Sequence, residues 1–174
     1  MINDVPWNEI NFEAYAEGDR LMGLATVDLS ELEFMSTDIK GAGIAGEFSV
    51  PTRGHLNNLT ATLHWRILYE PALQFLSQNA AHNLSLRGAW ERYDAATGLR
   101  EVHALRVDMR AHSAKLAMGK WEPGETSDTE LELTLDYINI ICDGSSIFEH
   151  DKFNFIHVVN GVDDLADVRS ALGL

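Results

Sequence analysis

Along most of this chain polar and apolar residues alternate with a period of two, which restricts it to strands that bury one face and wet the other. Ile10, Phe12, Ala14 and Ala16 alternate with Asn11, Glu13 and Tyr15 up to the turn signal Glu17-Gly18-Asp19, and residues 20–29 read as a second strand. Leu32 and Phe34 then oppose Glu31, Glu33 and Thr37. Between 59 and 67 the residues Leu59, Ala61, Leu63, Trp65 and Ile67 fall on one side. Residues 84–93 and 99–117 flank Asp94-Ala95-Ala96-Thr97-Gly98 as a long hairpin, and 137–142 with 146–159 form a last strand pair. The longest predicted pairing is 102–116 with 127–142, joining Leu105, Val107 and Met109 to Leu131, Leu133 and Leu135. On its wet face it places Arg110 near Glu130 or Glu132, an exposed pair worth ~0.2–1 kcal/mol that tunes register without holding the fold.

Only two segments read as helices. Pro71 suits a first helical turn, with Leu73, Phe75 and Leu76 as its core face and Asn79 beyond it. At the end, Asn160-Gly161 is a turn and Asp163 or Asp164 can cap a helix carrying Leu165, Val168 and Leu172 on one face, stopped by Gly173. So short a helix must dock its stripe to persist. The expected architecture is mainly β: one domain over 1–174, an antiparallel β-sandwich or partly closed barrel with one flanking helix and a short C-terminal helix.

Composition removes several classes of function. The opening Met1-Ile2-Asn3-Asp4-Val5-Pro6-Trp7 has no basic start followed by an apolar run, and no stretch reaches the ~20 apolar residues of a membrane span. Synthesis in the cytoplasm, without a membrane partner, is the expectation. Cys142 stands alone, so no internal disulfide forms. The net charge of −14 argues against wrapping nucleic acid. It is uneven: residues 122–174 hold twelve acidic and two basic side chains.

Several motifs imitate chemistry. Gly41-Ala42-Gly43-Ile44-Ala45-Gly46 matches the dinucleotide fingerprint, yet Glu47-Phe48-Ser49-Val50-Pro51 follows where a helix is required. A flexible loop that permits close backbone approach is the better reading. His150-Asp151 reads as an exposed polar pair and His103 as half-buried; the remaining histidines lack metal-ligand spacing. No basic cluster surrounds Cys142 and no serine sits in a nucleophile elbow. No enzyme, cofactor or metal site is expected. Trp65 and Trp90 fit a core, whereas Trp7 and Trp121 sit in predicted loops beside Pro6 and Pro123, where an aromatic can anchor an interface.

The order of these features resembles the major tail tube proteins of contractile-tailed phages and R-type pyocins. The resemblance runs from Ile10-Asn11-Phe12 through Gly18 and Gly23, the Gly41–Gly46 loop, Leu63-His64-Trp65, Trp121-Glu122-Pro123-Gly124-Glu125, Tyr137, Asp143-Gly144 and Asn154 to the terminal Asn160–Leu174. Two stretches depart from the family pattern, Leu29-Ser30-Glu31-Leu32 and Glu149-His150-Asp151-Lys152, the second lacking the family's proline. The resemblance implies homohexameric rings stacked into a tube in the virion tail, inside a sheath and between baseplate and terminator proteins, with DNA passing through unbound. Trp7, Gly41, Gly43, Gly46, Trp121 and Pro123 are then interface candidates, and Glu31, Glu33, Glu47, Glu130, Glu132 and Asp136 candidates for the bore. A DNA-free injection particle or a monomeric ligand-binding β-barrel are the alternatives.

Overall fold

The computed structural model describes residues 4–21 and 23–174. Among the described residues it holds twelve strands and two short helices. β1 (Asp4–Ala16), β2 (Asp19–Leu21), β3 (Leu24–Leu29), β4 (Phe34–Ile39), β5 (Phe48–Leu56) and β6 (Leu59–Trp65) come first. After α1 (Glu70–Gln74) come β7 (His82–Asp94), β8 (Arg100–Ala117), β9 (Thr129–Cys142), β10 (Ser145–Asp151), β11 (Ile156–Val159) and β12 (Val162–Asp163), and α2 (Ala166–Leu172) closes the order. All strand pairs are antiparallel and the sheet does not close on itself.

The main sheet runs β12-β11-β10-β9-β8-β7-β1-β2, with β6 and β3 branching from β9. One edge of β9 serves two partners: Thr129–Leu135 pairs with β6 and Tyr137–Cys142 with β10. Asp136 is the extra residue at the changeover, where the β8 register jumps between Arg110 and Ala111. Leu59, Ala61 and Leu63 stand opposite Leu135, Leu133 and Leu131, all essentially buried. These residues join Ala14, Leu84, Leu86, Val107 and Met109 in one cluster, as the branch folds back over β1, β7 and β8. Each such aliphatic side chain contributes roughly 1.5–3 kcal/mol by leaving water.

Period two located most strands, and the differences have local causes. The predicted strand over 20–29 gives way to a bend at Gly23, so β2 stays with β1 while β3 pairs with β6. The strand over 146–159 is interrupted between β10 and β11, where Phe155 has φ 52°. Residues 31–33 lie outside strands, and Ile67 lies beyond the end of β6, exposed. In the first helix Ala72 and Phe75 are buried while Leu73 and Leu76 face outward. In the terminal helix Leu165 and the half-buried Val168 dock but Leu172 does not. Asp163 accepts from the Leu165 N–H at 3.0 Å in a turn ahead of the helix, and Gly173 ends it at φ 77°. Arg110 stands opposite Tyr137 and not near Glu130 or Glu132, because the connection between β8 and β9 runs over residues 118–128, so that Ala117 and Lys115 take those two glutamates; Arg110 donates to Asp136 at 2.9 Å and to Asp151 at 3.4 Å.

Candidate assembly surfaces

β3, β6, the first half of β9 and the last part of β8 form a four-stranded unit with two unfinished borders. Among the described residues, β3 pairs only with β6, and β8 has no partner beyond β9 once β7 ends opposite Ala111. Both borders are six residues long, Leu24–Leu29 and His112–Ala117. The Ser30 N–H donates to the Thr60 carbonyl at 2.9 Å. Strand alternation therefore turns the Asp28 N–H toward β6 and those of Val27 and Leu29 outward. Because each strand of the unit is antiparallel to the next, β3 and β8 run in opposite directions.

The two faces of this unit differ. One is the core. The other is polar, with Asp28, Thr60, Thr62, His64, Glu130, Glu132, Thr134 and Lys115 on it. His64 bridges Asp28 (3.0 Å) and Glu130 (3.6 Å) across three strands. Of the acids singled out in sequence, only Glu130 and Glu132 lie here. Glu31 and Glu33 lie just before β4, Glu33 accepting from Asn57 at 2.7 Å, and Glu47 lies just before β5. Asp136 is 9% exposed, bound to Arg110 and 3.5 Å from His112, so it offers no bare charge.

Among the described residues β4 and β5 pair only with each other, and they project as an arm. Every residue of β4 and of the 40–47 loop is exposed, including Gly41, Gly43 and Gly46. Nothing lies within 4 Å of where a Cβ would stand on these glycines, so their close approach, if used, is to another molecule. No helix follows them, which removes the dinucleotide reading. At the arm's base Gly54 is buried at φ +68°, and a Cβ there would stand 2.6 Å from a Leu165 methyl. Arg53 donates to Asp167 of the terminal helix at 2.6 Å, holding that carboxyl below its ordinary range. Sequence reasoning missed Gly54; its signal was a glycine inside a strand, which marks close backbone approach.

The same junction buries His150 and His157, each 2% exposed, with their Nδ1 atoms 3.2 Å apart. His150-Asp151 is buried and not the exposed pair expected, because β11 and the arm cover that end of β10. Phe34 and Phe148 pack edge-on against His157. Burial first, then the charges of His157, Lys152 and His55, push His150 down to about 4 against the raising effect of Asp151. Asp151 itself stays low: burial raises it, but Asn154, the Phe153 N–H and Arg110 outweigh that. The unfolded chain takes up the His150 proton near pH 6.5 and the folded chain near 4, so stability should fall as pH drops through that window. Urea midpoints measured against pH should show this slope, and His150→Phe should flatten it; an equal slope in the variant would contradict the assignment. Among the described residues no three metal-ligating side chains gather into a site.

Trp7 lies within β1 and not in a loop. It is exposed, edge-on to Tyr93 at 5.3 Å with the Arg100 guanidinium 5.2 Å from its ring. Trp121 does lie in a loop, 78% exposed, and with Pro123, Ile67 and Leu68 it lines an open cleft of about 500 Å³.

A sheet with open borders, one bare polar face and an arm whose apolar tip lies uncovered defines a structural β-protein, with its unused surfaces left for assembly. The chain belongs to the phage tail tube protein FII family, whose model matches residues 10–173. It is 28% identical over 166 residues to the tail tube protein of Escherichia phage P2, covering 92% of this chain and 93% of that one. Its fold is similar to a chain of the sheath–tube complex of an extracellular contractile injection system (PVC) in the extended state. That match has a TM-score of 0.51 at 11% identity, and covers 75% of this chain and 87% of the other. The family is a structural one and not an enzyme class.

Proposed function

We propose that six copies close a ring through their unfinished borders, and that stacked rings form the inner tube of a contractile tail through which DNA passes into the host. The observation that carries this is the pair of equal, oppositely directed free edges on β3 and β8. Rotation about a ring axis brings β8 of one copy beside β3 of the next in antiparallel register, and the sheet continues with four strands per copy. Closure leaves no exposed edge, as in any barrel. The six-fold number rests on the family resemblance. A sheath would surround the tube, as in the complex containing its structural neighbour, with baseplate and terminator proteins at the ends.

The core face of the unit is covered by the chain's own β1, β7 and β8, so the polar face is the one left to line the bore. Three carboxylates (Asp28, Glu130 and Glu132) stand there against Lys115. That surplus repels phosphate and lets a polyanion slide, the reverse of a nucleic-acid-binding surface. Electron microscopy of the purified chain or its parent particle tests the reading: six-fold rings or tubes support it, and monomers under all conditions reject it. Replacing Glu130 and Glu132 together by Lys should leave tubes intact but make them retain DNA and slow its ejection, with a steep salt dependence. Ejection unchanged at low salt would reject an acidic bore.

A further inference from the structure

The arm and the Trp121 cleft stand at opposite ends of the four-stranded unit. β6 starts at Leu59, opposite Leu135, next to the arm's base, and finishes at Trp65, opposite Thr129. The cleft is tied to that far end, because the Ser127 N–H donates to the Arg66 carbonyl at 2.8 Å and Ser127 Oγ accepts from the Leu68 N–H at 3.1 Å. The length of β6 puts about 20 Å between the ends. A contact between the two surfaces therefore joins different copies and repeats head to tail without closing, which is the symmetry of a stack.

Their chemistry matches. The arm tip presents Ile39, Ile44 and Phe48, the last 63% exposed, with nothing of its own chain to cover them. The cleft offers Ile67, Trp121 and Pro123. At its margin Glu122 is held by Lys120 at 2.5 Å, while Glu125 has no ion-pair partner among the described residues. Lys40 beside the tip is equally unpaired there. We propose that the arm tip of each copy seats its Phe48 in the Trp121 cleft of a copy in the adjacent ring, with Lys40 meeting Glu125. This rests on the ring reading above and names the residues that stack one ring on the next.

The test uses the full chain carrying Cys142→Ser with Phe48→Cys and Trp121→Cys. Mild oxidation of assembled tubes should convert the protein into a ladder of covalent multimers, while each single-cysteine variant gives none. Lys40→Glu and Glu125→Lys should each shorten tubes about tenfold, because each sets like charges against one another across the contact, leaving single rings. Combining them should restore length. Tubes of normal length in both single variants, or no ladder from well-formed tubes, would overturn the proposal while leaving ring formation standing. A wild-type chain that forms no rings at all would instead remove the reading beneath it, and the proposal with it.

Discussion

Leu165→Asp is expected to cost about 3 kcal/mol or more and to stop assembly. Leu165 is 3% exposed, and its methyl groups fill the space left by the missing side chain of Gly54. A carboxylate there would lose its hydration without gaining a free partner. Arg53 is engaged by Asp167 and Arg169 by Asp163, and burial already holds Lys152 below its ordinary pKa. The loss would fall on the junction that fixes the arm's base, so the arm would be misplaced even in chains that stay folded. For a chain of this size, thermal unfolding should drop by about 10 °C. Leu165→Met should cost less than about 1.5 kcal/mol, since it conserves volume. Gly54→Ala attacks the same contact from the other side, at positive φ, and should destabilise by about 1–3 kcal/mol. A melting temperature within ~2 °C of the parent for Leu165→Asp would show that the terminal helix is peripheral.

Val27→Pro is expected to abolish rings while sparing the subunit. Val27 turns its N–H away from β6, so proline removes a donor the folded monomer does not use. Its side chain is only half-buried and the strand is an edge, where proline is tolerated. The copy that would pair along this border loses a hydrogen bond and meets a ring in its place. Circular dichroism and melting close to the parent, with a mass of ~19 kDa in place of rings, is the expected result. Wild-type rings in this variant would mean that β3 is not the seam. A comparable proline at Asp28, whose N–H faces β6, should instead unfold the branch.

The strands were legible because one buried face imposes a two-residue period, and Leu59–Trp65 and Leu131–Leu135 announce that face plainly. Register was not, because alternation does not mark where a connecting loop gives way to pairing: β8 runs to Ala117 and its partner β9 begins only at Thr129. Asp136 kept the pattern of a wet-face acid, yet it is the extra residue of a bulge and accepts from Arg110, which the long connection sets opposite Tyr137. Trp7 misled because a proline neighbour suggested a loop, while an edge strand can hold Pro6. The His150–His157 pair was invisible for a different reason: its partners come from strands separated by a turn, and burial is conferred by an arm a hundred residues earlier. The arm itself could be suspected from its glycines, but no local pattern distinguishes a projecting hairpin from one folded onto the body.

β9 has a mechanical consequence. It runs through both halves of the subunit as one covalent line, flanked by β8 along nearly its whole length. A pull along that line loads many backbone hydrogen bonds simultaneously in shear, whereas peeling of the short outer segments would break them one after another. A load along the strand would thus travel through the stiffest path in the subunit, and failure would begin at its rims.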